Sequence, residues 1–271
     1  MEILSAQNTT LPLTSGLDIA ALSRLFSNTT TSYKYIFFLS YLDILKRKEF
    51  HAVEPISFRE LTIEMLANAW YPHTYFKLSF GRQDLIAAKL DSLNLEISEP
   101  ILKFRDADKK LLRATIDSQL SDDSLMRYVP FRTLRPFFEE ELKGVDDYKI
   151  DSTIARLSAK YFTTRKPIYS FINRADAILP HPLWAEYFKL HFAVIRSWAA
   201  WQWLGYMQRC NQVVPAISAK LFPPNERDSL KAQTEYWKLV IKNSEAKCIY
   251  SGEDLCADRR RCCINMGPAI A

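Results

Sequence analysis

Histidine is the side chain best suited to move a proton near neutral pH, and the chain has four: His51, His73, His181 and His191. His51 falls in a polar loop, His73 follows Pro72 in an expected turn, His181 lies between Pro180 and Pro182, and His191 sits in an aromatic run. No two have the i, i+4 spacing that would turn a pair of imidazoles toward one metal ion from a helix face. Cys248, Cys256, Cys262 and Cys263 crowd into the last 24 residues. Their gaps do not match the paired CxxC knuckles of structural zinc sites. Trp184, Trp198, Trp201 and Trp203, with Arg196 and Arg209, have the residue types of a base-stacking platform. A stretch so apolar reads instead as core. With 6 glycines and neither GxGxxG nor GxxxxGK, the sequence argues against a phosphate-cradling loop. Residue types and spacing therefore assign no catalytic, cofactor-binding or metal-ligating residue.

The elements that would have to position such groups are mostly helical. Ser15 or Asp18 can cap a helix presenting Ile19, Leu22, Leu25 and Phe26 at spacings of three and four. Asn28 or Thr29 opens a second, with Tyr33, Ile36, Phe37, Ser40, Tyr41 and Ile44 in register, and Lys46, Arg47 and Lys48 complement its negative end. Ser57 and Glu60 form a capping box for a helix that reaches Trp70 and is expected to stop at Pro72. Shorter amphipathic pieces cover 84–93 and 106–120, and Val129-Pro130-Phe131 breaks the run. Residues 134–142 read as an irregular turn or short helix. The acidic, aperiodic stretch 144–151 reads as a linker. Residues 152–172 predict a helix and then an extended piece around Lys166 to Tyr169. Pro180 and Pro182 introduce the most prominent helix, about 183–209, apolar almost all round and so expected to be central and buried. A last amphipathic helix covers about 227–242, and Cys248 to Leu255 reads as a short strand entering a turn.

The expected fold is mainly α, a multi-helix globular protein with a short β element near the C-terminus. Three regions are expected: helical 1–145, helical 152–245, and a distinct 246–271. At 271 residues, 48% hydrophobic and 25% charged, the chain can bury a substantial core. The net charge of +5 permits nucleic-acid contact without requiring it. The greasiest stretches, 35–45 and 192–207, are shorter than the roughly 20 apolar residues a membrane span needs, and MEILSAQNTT lacks the pattern of a signal peptide. Cysteine usage fits a reducing, cytoplasmic setting.

Several segments together resemble bacterial HNH endonucleases that carry a long helical N-terminal region. They are LSRLFSNTTTSYKYIFFLSYLDIL (22–45), FRELTIEMLANAWYPHTYFKLSFG (58–81), VPFRTLRPFF (129–138) and VPAISAKLFPPNERDSLKAQTEYWKLVI (214–241), leading into CIYSGEDL (248–255). The resemblance extends to about Ala257. It implies a ββα nuclease unit beginning near Cys248, with a histidine base acting on water and a divalent metal such as Mg²⁺ held against the scissile phosphate. In this chain DRRRCCINMGPAIA follows Glu253 and Asp254, and no histidine follows His191. Arg259 to Arg261 could hold a phosphate but can neither take a proton from water nor bind a cation. The expectation is a truncated or frameshifted HNH relative without the catalytic histidines, associating weakly and salt-sensitively with DNA. The other reading is a helical interaction or regulatory protein with no nuclease activity.

Overall fold

A computed structural model describes residues 11–52, 54–93, 95, 106–121, 124–172, 176–222 and 239–243. Among them the order is α1 (Ile19–Ser23), α2 (Tyr33–Arg47), β1 (Ile56–Ser57), α3 (Phe58–Phe76), α4 (Ile86–Ser92), α5 (Asp106–Gln119) and α6 (Val129–Thr133). There follow α7 (Asp147–Lys160), β2 (Tyr169–Ile172), β3 (Ala177–Pro180), α8 (Pro182–Leu190), α9 (Phe192–Cys210) and α10 (Ile217–Leu221). The fold is mainly α, as the spacing predicts. The described strand, however, is internal rather than C-terminal: an antiparallel sheet in the order β1-β3-β2, pairing Ile56 with Ile178 and Tyr169 with Pro180. Cys248 to Leu255 lies outside the described residues.

The chain divides into two compact units, Met1–Pro223 and Pro224–Ala271. In the second, residues 239–243 are helical and overlap the end of the expected last helix. The expected linker at 144–151 is where α7 begins, at Asp147, and it lies inside the first unit. Acidic side chains there had masked a helix start, where negative charge offsets the positive helix end.

The central helix of the first unit is α2. Ten of its fifteen residues are buried, including Ile36, Phe37, Phe38, Tyr41, Leu42 and Leu45. The expected central helix at 183–209 is two helices, α8 and α9, parted at His191. Moreover, α9 buries one face only: Ile195, Ala199, Trp203 and Met207 face the core, while Trp201 is 71% exposed. Composition misled here because tryptophans were counted without regard to which side of the helix they occupy.

Local signals hold more often. Asp18 Oδ1 accepts from Ala21 N at 2.8 Å and caps α1. Ser57 Oγ accepts from Glu60 N at 3.1 Å and caps α3. The cap of α2 falls at Ser32 rather than Asn28 or Thr29. Pro72 does not end α3, which continues to Phe76. An internal proline costs about 3 kcal/mol, and here the helix buries Trp70, Pro72 and His73 against the core to offset it. Val129-Pro130-Phe131 is likewise a short helix with proline in its first turn, where no amide donor is missed.

Candidate site: a charged network where four helices meet

α3 carries Glu60, Glu64 and Asn68 four residues apart, so all three project along one stripe. On α2, Ser40, Asp43 and Arg47 do the same at spacings of three and four. Because the two helices pack together, the stripes face each other. Glu64 is 1% exposed, and its Oε2 accepts from Arg47 Nη1 at 2.7 Å while Oε1 lies 3.6 Å from Arg113 Nη1 on α5. Glu60 reaches Arg47 Nη2 at 3.3 Å and Lys48 Nζ at 3.2 Å. Asn68 Nδ2 donates to Ser40 Oγ at 3.0 Å and to Asp43 Oδ2 at 3.3 Å, and its Oδ1 accepts from Lys109 Nζ at 2.9 Å. Asp43 is also held by Arg196 of α9, Nε to Oδ1 at 2.8 Å.

Among the described residues this network contains five cations, Arg47, Lys48, Lys109, Arg113 and Arg196, against the three carboxylates Asp43, Glu60 and Glu64. Each carboxylate is engaged by guanidinium, ammonium or amide donors, so it is arranged to hold helices together rather than to take a proton. Lys46 and Lys110, next in sequence to Arg47 and Lys109, are exposed. Such a surface suits anions.

The histidines occupy four different environments. His51 is exposed, its Nδ1 3.0 Å from Lys48 O. His73 is within α3 rather than in a turn, and its Nε2 is 2.7 Å from Asp91 Oδ1 on α4. His181 caps α8: its Nδ1 accepts from Leu183 N at 3.2 Å. Burial, then the charge of Lys166, pushes the pKa of His181 down, against a smaller opposing bond to the Phe162 backbone. His191 separates α8 from α9 and lines an open groove of about 610 Å³ with Thr14, Leu17, Leu183 and Leu190. The fold thus brings His73 to a carboxylate, a pairing between residues eighteen apart that the sequence reading missed. It does not bring His181 or His191 to a carboxylate cluster among the described residues.

Among those residues no group of three or more His, Cys, Asp or Glu side chains is arranged to hold a metal ion. No helix there is long and apolar enough to cross a membrane. Cys210 is a free thiol, and the four C-terminal cysteines lie outside the described residues, as do Glu253, Asp254 and Arg259 to Arg261. Of the tryptophans with stacking chemistry, Trp184 and Trp203 are buried, Trp198 packs on Phe26 and Phe38, and Trp201 faces out. Arg209 lies over the Tyr206 ring. No family model, curated protein or solved structure matches the chain.

Proposed function

We propose that this chain is a nucleic-acid-associated helical protein of HNH-endonuclease type that engages phosphate backbone electrostatically and does not itself supply a hydrolytic centre. The observation that carries this reading is the cationic excess of the α2–α3–α5–α9 network, fixed in place by its own carboxylates and bordered by Lys46 and Lys110. A rigid array of cations loses less side-chain entropy on meeting phosphates than flexible ones do. Recognition of this kind reads charge, not sequence.

About four phosphate contacts would lower affinity roughly 100-fold between 50 and 200 mM salt through counterion release. Titration of a labelled duplex at those two concentrations checks this. Lys46→Glu with Lys110→Glu should weaken binding at least tenfold, at a cost in stability of only about 1 kcal/mol where Lys46 leaves the negative end of α2. Tight binding that ignores both salt and charge reversal would sink the proposal. No nicking of plasmid is expected with Mg²⁺ or Mn²⁺. Nicking that vanishes in His73→Ala, the histidine that meets a carboxylate, would make the protein an enzyme.

One observation favours the alternative of a helical interaction protein. The solvent face of α9 presents Trp201 and Val194, 71% and 49% exposed, with Leu190 of α8 nearby in sequence. Exposed apolar faces of this kind mark association surfaces. If Trp201→Ala abolishes association with a partner protein while duplex titration shows no binding at low salt, this reading replaces the first.

A further inference from the structure

A helix face that meets water normally carries charge, and the outward face of α9 carries none. From Phe192 to Gln208 the one charged residue is Arg196, and its guanidinium is turned to Asp43 of α2, Nε to Oδ1 at 2.8 Å. The exposed side chains over that stretch are Ala193, Val194, Ser197, Trp201, Gln202 and Gln208. At 100° per residue, Ala193, Ser197 and Trp201 lie within about 80° of one another, with Val194 beside Trp201. Ile195, Ala199, Trp203 and Met207 point the other way, into the core. Depletion of charge around an exposed tryptophan is the composition of an interface centre, not of free surface.

Two properties select the occupant. The chain has a net charge of +5, so copies repel one another, and an uncharged face is where they can meet without opposing like charges. The face is also its own complement in size. Ser197 lies four residues after Ala193 and four before Trp201. Two copies of α9 packed antiparallel about a twofold axis at Ser197 therefore bring each Trp201 level with the partner's Ala193. There the smallest side chain of the face leaves room for the largest. A parallel pair would instead set one indole against the other. Twofold packing uses the same patch on both copies, so the fit of large to small is made twice.

We propose that the outward face of α9 is a homodimer interface, in which two copies of the chain pack this helix antiparallel about Ser197. The inference does not rest on the phosphate-backbone reading, and it assigns the face to a second copy of the chain instead of a different protein.

The test is sedimentation equilibrium of the full chain, which should pass from monomer to dimer as its concentration rises. A single helix pair covers less than the roughly 800 Å² per partner of a standard interface, so the dissociation constant should be on the order of 10 µM. Ser197→Glu sets two like charges at the axis and should raise that constant at least tenfold. The position is exposed, so the melting temperature of the dilute protein should not change. Register is read separately, by oxidising cysteine variants with copper phenanthroline and using wild type as the control for native thiols. Ser197→Cys should form a disulfide between copies, located by peptide mass spectrometry at position 197. Ala193→Cys should not, because eight residues of 1.5 Å rise set the two thiols about 12 Å apart, beyond the reach of a disulfide. A chain still monomeric at ten times the expected dissociation constant overturns the proposal, and so does a dimer indifferent to Ser197→Glu. A disulfide formed by Ala193→Cys at position 193 would show a parallel pair and overturn it as well.

Discussion

Helix α2 carries a cation near each end, and the fold treats the two in opposite ways. Arg47 lies in the last turn, where the helix terminus is negative, and it neutralises Glu64, a carboxylate 1% exposed. Lys34 lies in the first turn, where the terminus is positive, beside two more cations. Removing one partner of a buried pair strands the other charge away from water, whereas removing a charge that has no partner relieves strain. The difference teaches that a basic residue is read by its surroundings, since by composition the two are equivalent.

The sharpest way to break this comparison is to replace both cations by methionine. Arg47→Met should cost about 3 kcal/mol, because Glu64 keeps only Arg113 at 3.6 Å. Denaturant unfolding measures it, and a loss no larger than for an exposed pair would mean that water reaches Glu64. Lys34→Met should shift stability the other way.

Asn68→Ala tests whether the network acts as a unit. It removes the donors to Ser40 and Asp43 and the acceptor for Lys109, so a loss of about 1–2 kcal/mol is expected. An Asn68→Ala, Arg196→Ala double-mutant cycle should be non-additive, because both residues hold Asp43.

A third polar residue, His181, is partnered by backbone rather than by charge, and it should respond to pH. Its pKa is lowered on folding, so the native imidazole stays neutral while the unfolded chain takes up a proton near the ordinary 6.5. Stability is then full above about pH 7 and falls as the pH drops through 6.5 toward the folded value. The protonated ring can no longer accept from Leu183 N, so up to about 1 kcal/mol, the worth of a cap, is at stake. His181→Asn should keep the cap and flatten this part of the pH profile. A profile of unchanged slope would place its origin elsewhere.

The smallest effect sharpens the comparison from outside. Lys143 and Glu140 pair at 2.6 Å but are about three-quarters exposed. Lys143→Ala should change stability by less than about 0.5 kcal/mol. A larger loss would show that pairing itself, rather than burial, separates the two ends of α2.

Much of the fold was legible because its signals are local. Asp18 and Ser57 announce helix starts through bonds to amides three residues on, and the alternation of apolar and polar positions in 106–120 is a property of one helix alone. The site was far less legible. Glu60, Glu64 and Asn68 advertise a polar stripe by their spacing of four, a signal that could have been noticed in a helix otherwise rich in core residues. What they meet on α2, α5 and α9 is set by packing between segments up to 153 residues apart.

By itself the sequence determined a helical architecture, the capped starts of α1 and α3 and the cationic balance, because propensity, capping and net charge depend on near neighbours or on composition. Tertiary structure alone decided that α2 rather than 183–209 is central, that α3 runs through Pro72 and that strands pair internally. It also decided that His73 meets Asp91 and that Lys34 lies in the field of Arg135 and Arg132. Each of these depends on which surfaces come together in the fold, and burial then fixes whether a given charge is stabilised, stranded or left to water.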